Sequence, residues 1–159
     1  MDVNTKPYKI PVSVLIVVHT PDLQVLLLER ADQPGYWQSV TGSQNLGETL
    51  EETAVRELRE ETGLDATRYP LVDWAQQNRF EIYPHWRHRY APGIMHNTEH
   101  VFAVLVPQPL EIARAPREHL AYEWRPWSDA ADRVFSWSNA VAIRELPVRT
   151  AARAPDAGT

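Results

Sequence analysis

The stretch that most constrains this chain is GSQNLGETLEETAVRELREETGL, residues Gly42 to Leu64. Thr49 followed three residues later by Glu52 reads as a capping box, in which hydroxyl and carboxylate take up amide N–H groups left unpaired at a helix start. The spacing predicts a helix from Leu50 to Thr62, ended by Gly63 in the left-handed conformation that closes helices. At about 100° per residue, Leu50, Ala54, Leu58 and Thr62 fall on one stripe with Val55 beside it. That face goes to the core.

The polar side of this helix carries the chemistry. Glu57 and Glu61 sit one turn apart at the edge of the apolar stripe, and Glu60 lies round the other side, one turn from Arg56. A solvated acidic face accounts for part of this, because Arg56 can pair with Glu52 and Glu60, and Arg59 is close. A like-charge pair at i,i+4 nevertheless costs roughly 0.2–0.5 kcal/mol when exposed, and more where water is partly excluded. A hard divalent cation would turn that repulsion into binding, since Mg²⁺ takes oxygen ligands and commonly combines one or two carboxylates with substrate phosphates. On spacing alone the solvated face and the metal site are evenly balanced.

Elsewhere the chain alternates between element types. Val12–His19 and Val25–Arg30 are β-branched or Leu-rich runs around the turn signal Thr20-Pro21-Asp22, and predict a hairpin. Trp37–Thr41, Leu71–Phe80, His100–Val106 and Ala121–Trp127 predict further strands. Ser136–Arg144 predicts a second helix, capped by Ser136 or Ser138. This is an α+β chain, or an α/β/α sandwich around a mixed sheet. Its 159 residues suit a single domain, which we place at 1–150. The stretch 151–159 reads as a flexible tail, and residues 1–6 are also expected to fray.

Composition narrows the function. The net charge of −5 argues against a nucleic-acid binder. Absence of cysteine removes disulfides and thiolate metal sites. The longest apolar run, Val12 to Val18 with one Ser, is too short to span a bilayer, and MDVNTKPYK shows no secretion signal. We therefore expect a cytoplasmic protein. An acidic protein that handles polyanions needs a metal or a local basic cluster.

The whole stretch resembles the signature of the Nudix hydrolases: glycine, five residues, glutamate, seven residues, then Arg-Glu-apolar-any-Glu-Glu-any-Gly-apolar. Here Gly42, Glu48, Arg56, Glu57, Leu58, Glu60, Glu61, Gly63 and Leu64 fill every fixed position. From average residue usage, a chance match in such a chain is on the order of one in ten million. The resemblance implies an α/β/α sandwich around a mixed sheet and metal-dependent hydrolysis of a nucleoside-diphosphate-like linkage. It implies Glu57, Glu60 and Glu61 as metal ligands and Arg56 as the residue that orients the glutamates. Gly42 would supply a turn and a carbonyl for the metal, and Glu48 a structural role. The cofactor expected is Mg²⁺, with Mn²⁺ as the alternative.

Further segments resemble the bacterial enzymes that release pyrophosphate from dihydroneopterin triphosphate in folate synthesis. They are Tyr8-Lys9 with Pro11–Leu15, Tyr36–Ser43, His88–Gly93, Asn97–Glu99, Glu118–Tyr122 and Ser136–Asn139, within residues 7–145. This implies Glu118 as a further metal ligand or general base, which can act if a water lies within hydrogen-bond reach. Catalysis is thus expected from Arg56, Glu57, Glu61 and Glu118.

On the substrate side, Lys9 and Arg30 are cations at a strand start and a strand end, suited to phosphates. Thr41 can donate to a phosphate or a pterin edge. Phe80, Glu81, Ile82 and Tyr83 form the expected ring-binding segment, with Glu81 paired to the amino-pyrimidinone edge. Ser136 and Ser138 stand at a helix N-terminus, a natural anion seat. The chain departs from those relatives at Gln76–Arg79, which abuts that segment, and at Ile94–His96. The expected partner is a small-molecule triphosphate, without nucleic acid or membrane. The alternative is a nucleotide-pool enzyme acting on dATP-like or oxidised triphosphates. A non-catalytic domain is disfavoured by the complete signature.

Overall fold

The computed structural model describes residues 7–113, 115 and 117–153. Strand β1 (Val12–His19) runs through the middle of a mixed sheet, beside β2 (Gln24–Arg30) and β6 (His96–Leu105). It pairs in parallel with β6 from Val12↔Thr98 to His19↔Leu105. Near its start it also pairs antiparallel with β4 (Val40–Ser43). Strand β2 carries β3 (Trp37–Gln38) and β7 (His119–Pro126), and β5 (Leu71–Glu81) borders β6. Residues Ser13–His19 are all buried, as expected of a strand covered on both faces.

Alternation along β1 assigns the two layers. Val14, Ile16 and Val18 pack with Ala54 and Leu58 of helix α1 (Leu50–Thr62). Leu15 and Val17 pack with Ala130, Ala131, Ile143 and Leu146 from α2 (Trp127–Arg133) and α3 (Trp137–Arg153) on the opposite face. The architecture is an α/β/α sandwich, the arrangement expected from the sequence. None of the helices among the described residues is long and apolar enough to cross a membrane.

Helix α1 has the expected limits. Thr49 accepts from the Glu52 N–H, Glu52 accepts from the Thr49 N–H, and Gly63 takes φ 77°. Glu52 is thereby committed to the cap, and the ion pair expected between it and Arg56 is absent.

Other boundaries differ from expectation. The predicted strand Trp37–Thr41 is two short strands around Ser39, because the chain leaves β2 and crosses to β1. Strand β6 starts at His96, extending over Asn97–Glu99, which carry no strand-like composition. Helix α2 is too short to show periodicity and was not anticipated. Helix α3 runs past the expected end at Arg144 and through Pro147 to Arg153. Buried Leu146 packs just before the proline. Arg149 then anchors the last turns, 4.4 Å over the Trp74 ring and 2.6 Å from Gln76 Oε1. These contacts outweigh the helix-breaking tendency of proline. The helix therefore occupies 151–153 of the expected tail; residues 1–6 and 154–159 lie outside the described residues. Ser136, not Ser138, caps α3, accepting from the Asn139 N–H at 3.3 Å.

Candidate active site

Helix α1 presents its polar edge to the end of β4. Arg56 is the hub. Its Nε and Nη2 donate to the two oxygens of Glu48 at 2.7 and 3.0 Å, and Nη2 also donates to the Ser43 carbonyl at 3.0 Å. Nη1 donates to Glu57 at 2.7 Å and Glu60 at 3.3 Å. This fork holds the Glu48 carboxyl down at about 2 and fixes the Glu57 carboxylate against β4. Glu48 also accepts from the Asn45 N–H and the Thr53 hydroxyl, which binds the loop to the helix.

Gly42 is needed here for space. Its φ is not positive, so it supplies no left-handed turn. A Cβ at this position would overlap the Glu57 carboxylate. The expectation of a turn-making glycine is corrected to one of close approach.

Glu57 and Glu61 are both buried. Burial raises both carboxyls above the usual range, and repulsion from the neighbouring carboxylates adds to it. Arg56 offsets this for Glu57. Glu61 accepts from the Thr41 N–H at 3.4 Å and has no ion pair among the described residues. The loop before β7 comes up opposite, where the Ala31 N–H donates to the Glu118 carbonyl at 2.8 Å. Ligand atoms of Glu61, Glu118 and His119 lie within 4.8 Å of one another. His119 is buried with Nδ1 unpartnered, and burial lowers it to about 4, so it is a neutral donor of a lone pair. Two buried carboxylates, of which only Glu57 has an arginine among the described residues, beside the exposed Glu118 and a neutral imidazole fit a divalent metal ion.

Two connected hollows open beside these groups. The outer basin, about 830 Å³, is lined by Glu57, Glu61, Glu118 and His119 on one side, and by Lys9, Arg30 and Arg89 on another. The Lys9 N–H donates to the Arg89 carbonyl at 2.8 Å, tying the lead-in to β1 onto the 3-10 helix Pro84–Arg89. Partial burial and the two guanidinium groups pull the Lys9 amine below its usual value. Asp32 bridges Arg30 and Arg89 at 2.7 and 2.8 Å, and they hold its carboxyl well below the usual range.

The inner cavity, about 140 Å³, shares Lys9, Arg30, Thr41 and Gly42 with the basin; Phe80, Tyr83, Trp86, Tyr90 and Phe135 line one part of it, and polar groups including Asn97, Glu99 and Ser136 another. Trp86 meets Tyr83 edge-on at 5.5 Å, Arg30 lies 4.4 Å over Trp86, and Tyr36, outside the lining, stacks behind Phe135 at 4.7 Å between centroids.

Most residues named from the sequence gather here. Glu57, Glu61 and Glu118 line the basin, Lys9, Arg30 and Thr41 line both hollows, and Phe80, Ile82, Tyr83 and Ser136 line the cavity. Three lie elsewhere. Glu60 is outward, its side chain 54% exposed beside Arg56. Glu81 is also outward, bonded to Arg87 at 2.5 Å, because alternation along the strand that turns Phe80 inward turns its neighbour out. Ser138 is buried beneath the cavity wall, where its hydroxyl engages the Glu99 carboxyl.

Arg89, His119, Asn97 and Glu99 lie within the segments that carry the resemblance but have no site role in the sequence reading, and Trp86 lies outside those segments. Two of these had a readable signal. Asn97 and Glu99 share the face of β6 that buries Val101 and Ala103 in the core, so polar groups at the end of an apolar stripe mark where core gives way to cavity.

The chain is similar to known proteins over nearly its whole length. The family model for the NUDIX domain matches residues 9–146. The chain is 44% identical over 149 residues to the dihydroneopterin triphosphate diphosphatase of Escherichia coli (strain K12), covering 92% of this chain and 98% of that one. It is 42% identical over 141 residues to the Haemophilus influenzae protein of the same name, covering 87% and 88%. The solved E. coli dihydroneopterin triphosphate pyrophosphohydrolase superposes with a TM-score of 0.85 at 44% identity, covering 91% of this chain and 99% of that one.

Proposed function

The chain belongs to the Nudix family, and from that premise we propose that it hydrolyses dihydroneopterin triphosphate to dihydroneopterin monophosphate and pyrophosphate, as a step of folate synthesis. The observation that carries this reading is the continuity of an acid-lined basin with an aromatic-walled cavity across Thr41 and Gly42. A triphosphate fits the first and a flat ring system the second. A chain so similar to named diphosphatases over nearly its whole length supports that division.

Glu57, Glu61 and Glu118 would hold the divalent cation, with His119 beside them and Glu60 joining if its side chain leaves Arg56. We take the ion to be Mg²⁺, with Mn²⁺ as a substitute; bound there, it supplies charge neutralisation on phosphate oxygens and a more acidic water. The chain's own groups do the rest. Lys9, Arg30 and Arg89 draw the phosphates into the basin and neutralise charge on the leaving pyrophosphate. Arg56 keeps the Glu57 carboxylate in place through its fork. We take Glu118, exposed at the basin rim, as the group that accepts the proton of an attacking water. Phe80, Ile82, Tyr83 and Ser136 shape the ring pocket.

The partner is a small-molecule triphosphate; we assign no nucleic-acid or membrane role and place the enzyme in the cytoplasm. The test is product analysis with dihydroneopterin triphosphate and Mg²⁺. Pyrophosphate and the monophosphate in equal amounts are expected. Release of orthophosphate alone would overturn the reading.

A further inference from the structure

Glu99 is 5% exposed and lines the inner cavity; Ser138 engages its carboxyl from behind, and its Oε1 has no hydrogen-bond partner among the described residues. Two residues earlier on the same face of β6, Asn97 is equally buried and its Oδ1 is also unpartnered. The orientation of that amide is set from behind, because Nδ2 donates to the Ser13 hydroxyl at 2.7 Å. Ser13 stands directly opposite Glu99 in the β1–β6 ladder. Buried acceptors without donors are rare, since they have given up water for nothing in return. Two on one cavity wall call for a ligand that brings donors.

We infer that Glu99, with Asn97 beside it, reads the 2-amino, ring N–H edge of the substrate's pyrimidinone ring, and so sets the base specificity of this site. The inference rests on the proposed substrate and takes the place of the role expected for Glu81. Such an edge offers a ring N–H next to an amino group. A carboxylate accepts from both at once, and the second amino hydrogen suits Asn97 Oδ1. An adenine edge sets a ring-nitrogen acceptor in that place, against the carboxylate, and is rejected. Burial lifts the Glu99 carboxyl to about 7, and donors from a ligand would draw it back to the ionised acceptor form.

The test compares the full-length protein with Glu99→Gln, which keeps the shape but exchanges an acceptor for a donor. kcat/KM is measured at fixed Mg²⁺ for dihydroneopterin triphosphate, dGTP and dATP. The variant should lose tenfold to hundredfold on dihydroneopterin triphosphate and dGTP, chiefly through KM, and keep its turnover of dATP. The retained dATP activity shows that the fold and the metal site are intact. Guanine carries the same 2-amino, N–H edge, so the dGTP to dATP ratio tests Glu99 even if the pterin proves not to be the substrate. A wild-type protein without pterin preference, but with a dGTP to dATP ratio that collapses in the variant, would overturn the substrate reading and support the role of Glu99. Unchanged ratios, or equal loss on all three substrates, would overturn that role.

Discussion

Gly42 and Glu57 occupy each other's space: a methyl group on the glycine would overlap the carboxylate that helix α1 delivers to β4. The backbone at Gly42 is extended within β4 and tolerates any L residue. Gly42→Ala therefore acts through Glu57 and not through strain. Turning aside, the carboxylate gives up its 2.7 Å bond from Arg56 and its place in the basin. We expect kcat/KM to fall at least tenfold, with a melting temperature within a few degrees of wild type. A melt far below wild type would point to the fold instead.

Glu61→Gln separates charge from shape in the basin. The Glu61 carboxyl is buried beside Glu57 without a cation of its own, and its titration is displaced upward. A raised carboxyl pKa means that the folded state loses stability as pH rises, so at pH 8 in EDTA the amide should melt higher. A gain of about 1 kcal/mol corresponds to roughly 2–4 °C. Metal-dependent turnover should disappear, along with the Mg²⁺-induced rise in melting temperature expected of wild type. Retained turnover would sink the assignment of Glu61 as a ligand.

The aromatic wall should govern ring affinity. Trp86 is held by its indole N–H on Asp32 at 3.1 Å and by Arg30 above its ring. Stacking on an aromatic face is worth about 1–3 kcal/mol per base. Trp86→Ala should therefore raise KM about tenfold or more while kcat changes less, read from steady-state kinetics. A fall confined to kcat would place Trp86 outside ring binding.

The helix and its signature were readable because their determinants are local: a cap, a stripe and a stop lie within Gly42–Leu64. Lys9, Arg30 and Thr41 were readable as charges and donors at strand ends. The outward facing of Glu81 was not readable, because it depends on where β5 ends and how it faces β6, while the signal at Glu99 lay in the alternation along β6. An error of one residue moves a side chain from cavity to solvent. Trp86 and Arg89 sit on a 3-10 helix whose position is set by long-range ties such as Lys9 to Arg89.

The pH dependence of stability should carry the mark of Glu99. Its carboxyl moves from 4.5 in the unfolded chain to about 7 in the fold. The folded state therefore holds the proton more tightly, and this contribution is complete below pH 4.5 and lost as pH rises through 7. The difference in unfolding free energy between wild type and Glu99→Gln should shift by on the order of 3 kcal/mol across that window, measured by urea denaturation without substrate. A difference independent of pH would contradict the burial of this carboxyl with Ser138 as its hydrogen-bond partner.

The most direct test is the rank order of substrates at one Mg²⁺ concentration. Dihydroneopterin triphosphate is offered beside the four deoxynucleoside triphosphates, and pyrophosphate release is followed for each. A clear preference for the pterin is predicted. A preference for any of the nucleotides would leave the basin as described and contradict the assignment of the cavity to a pterin.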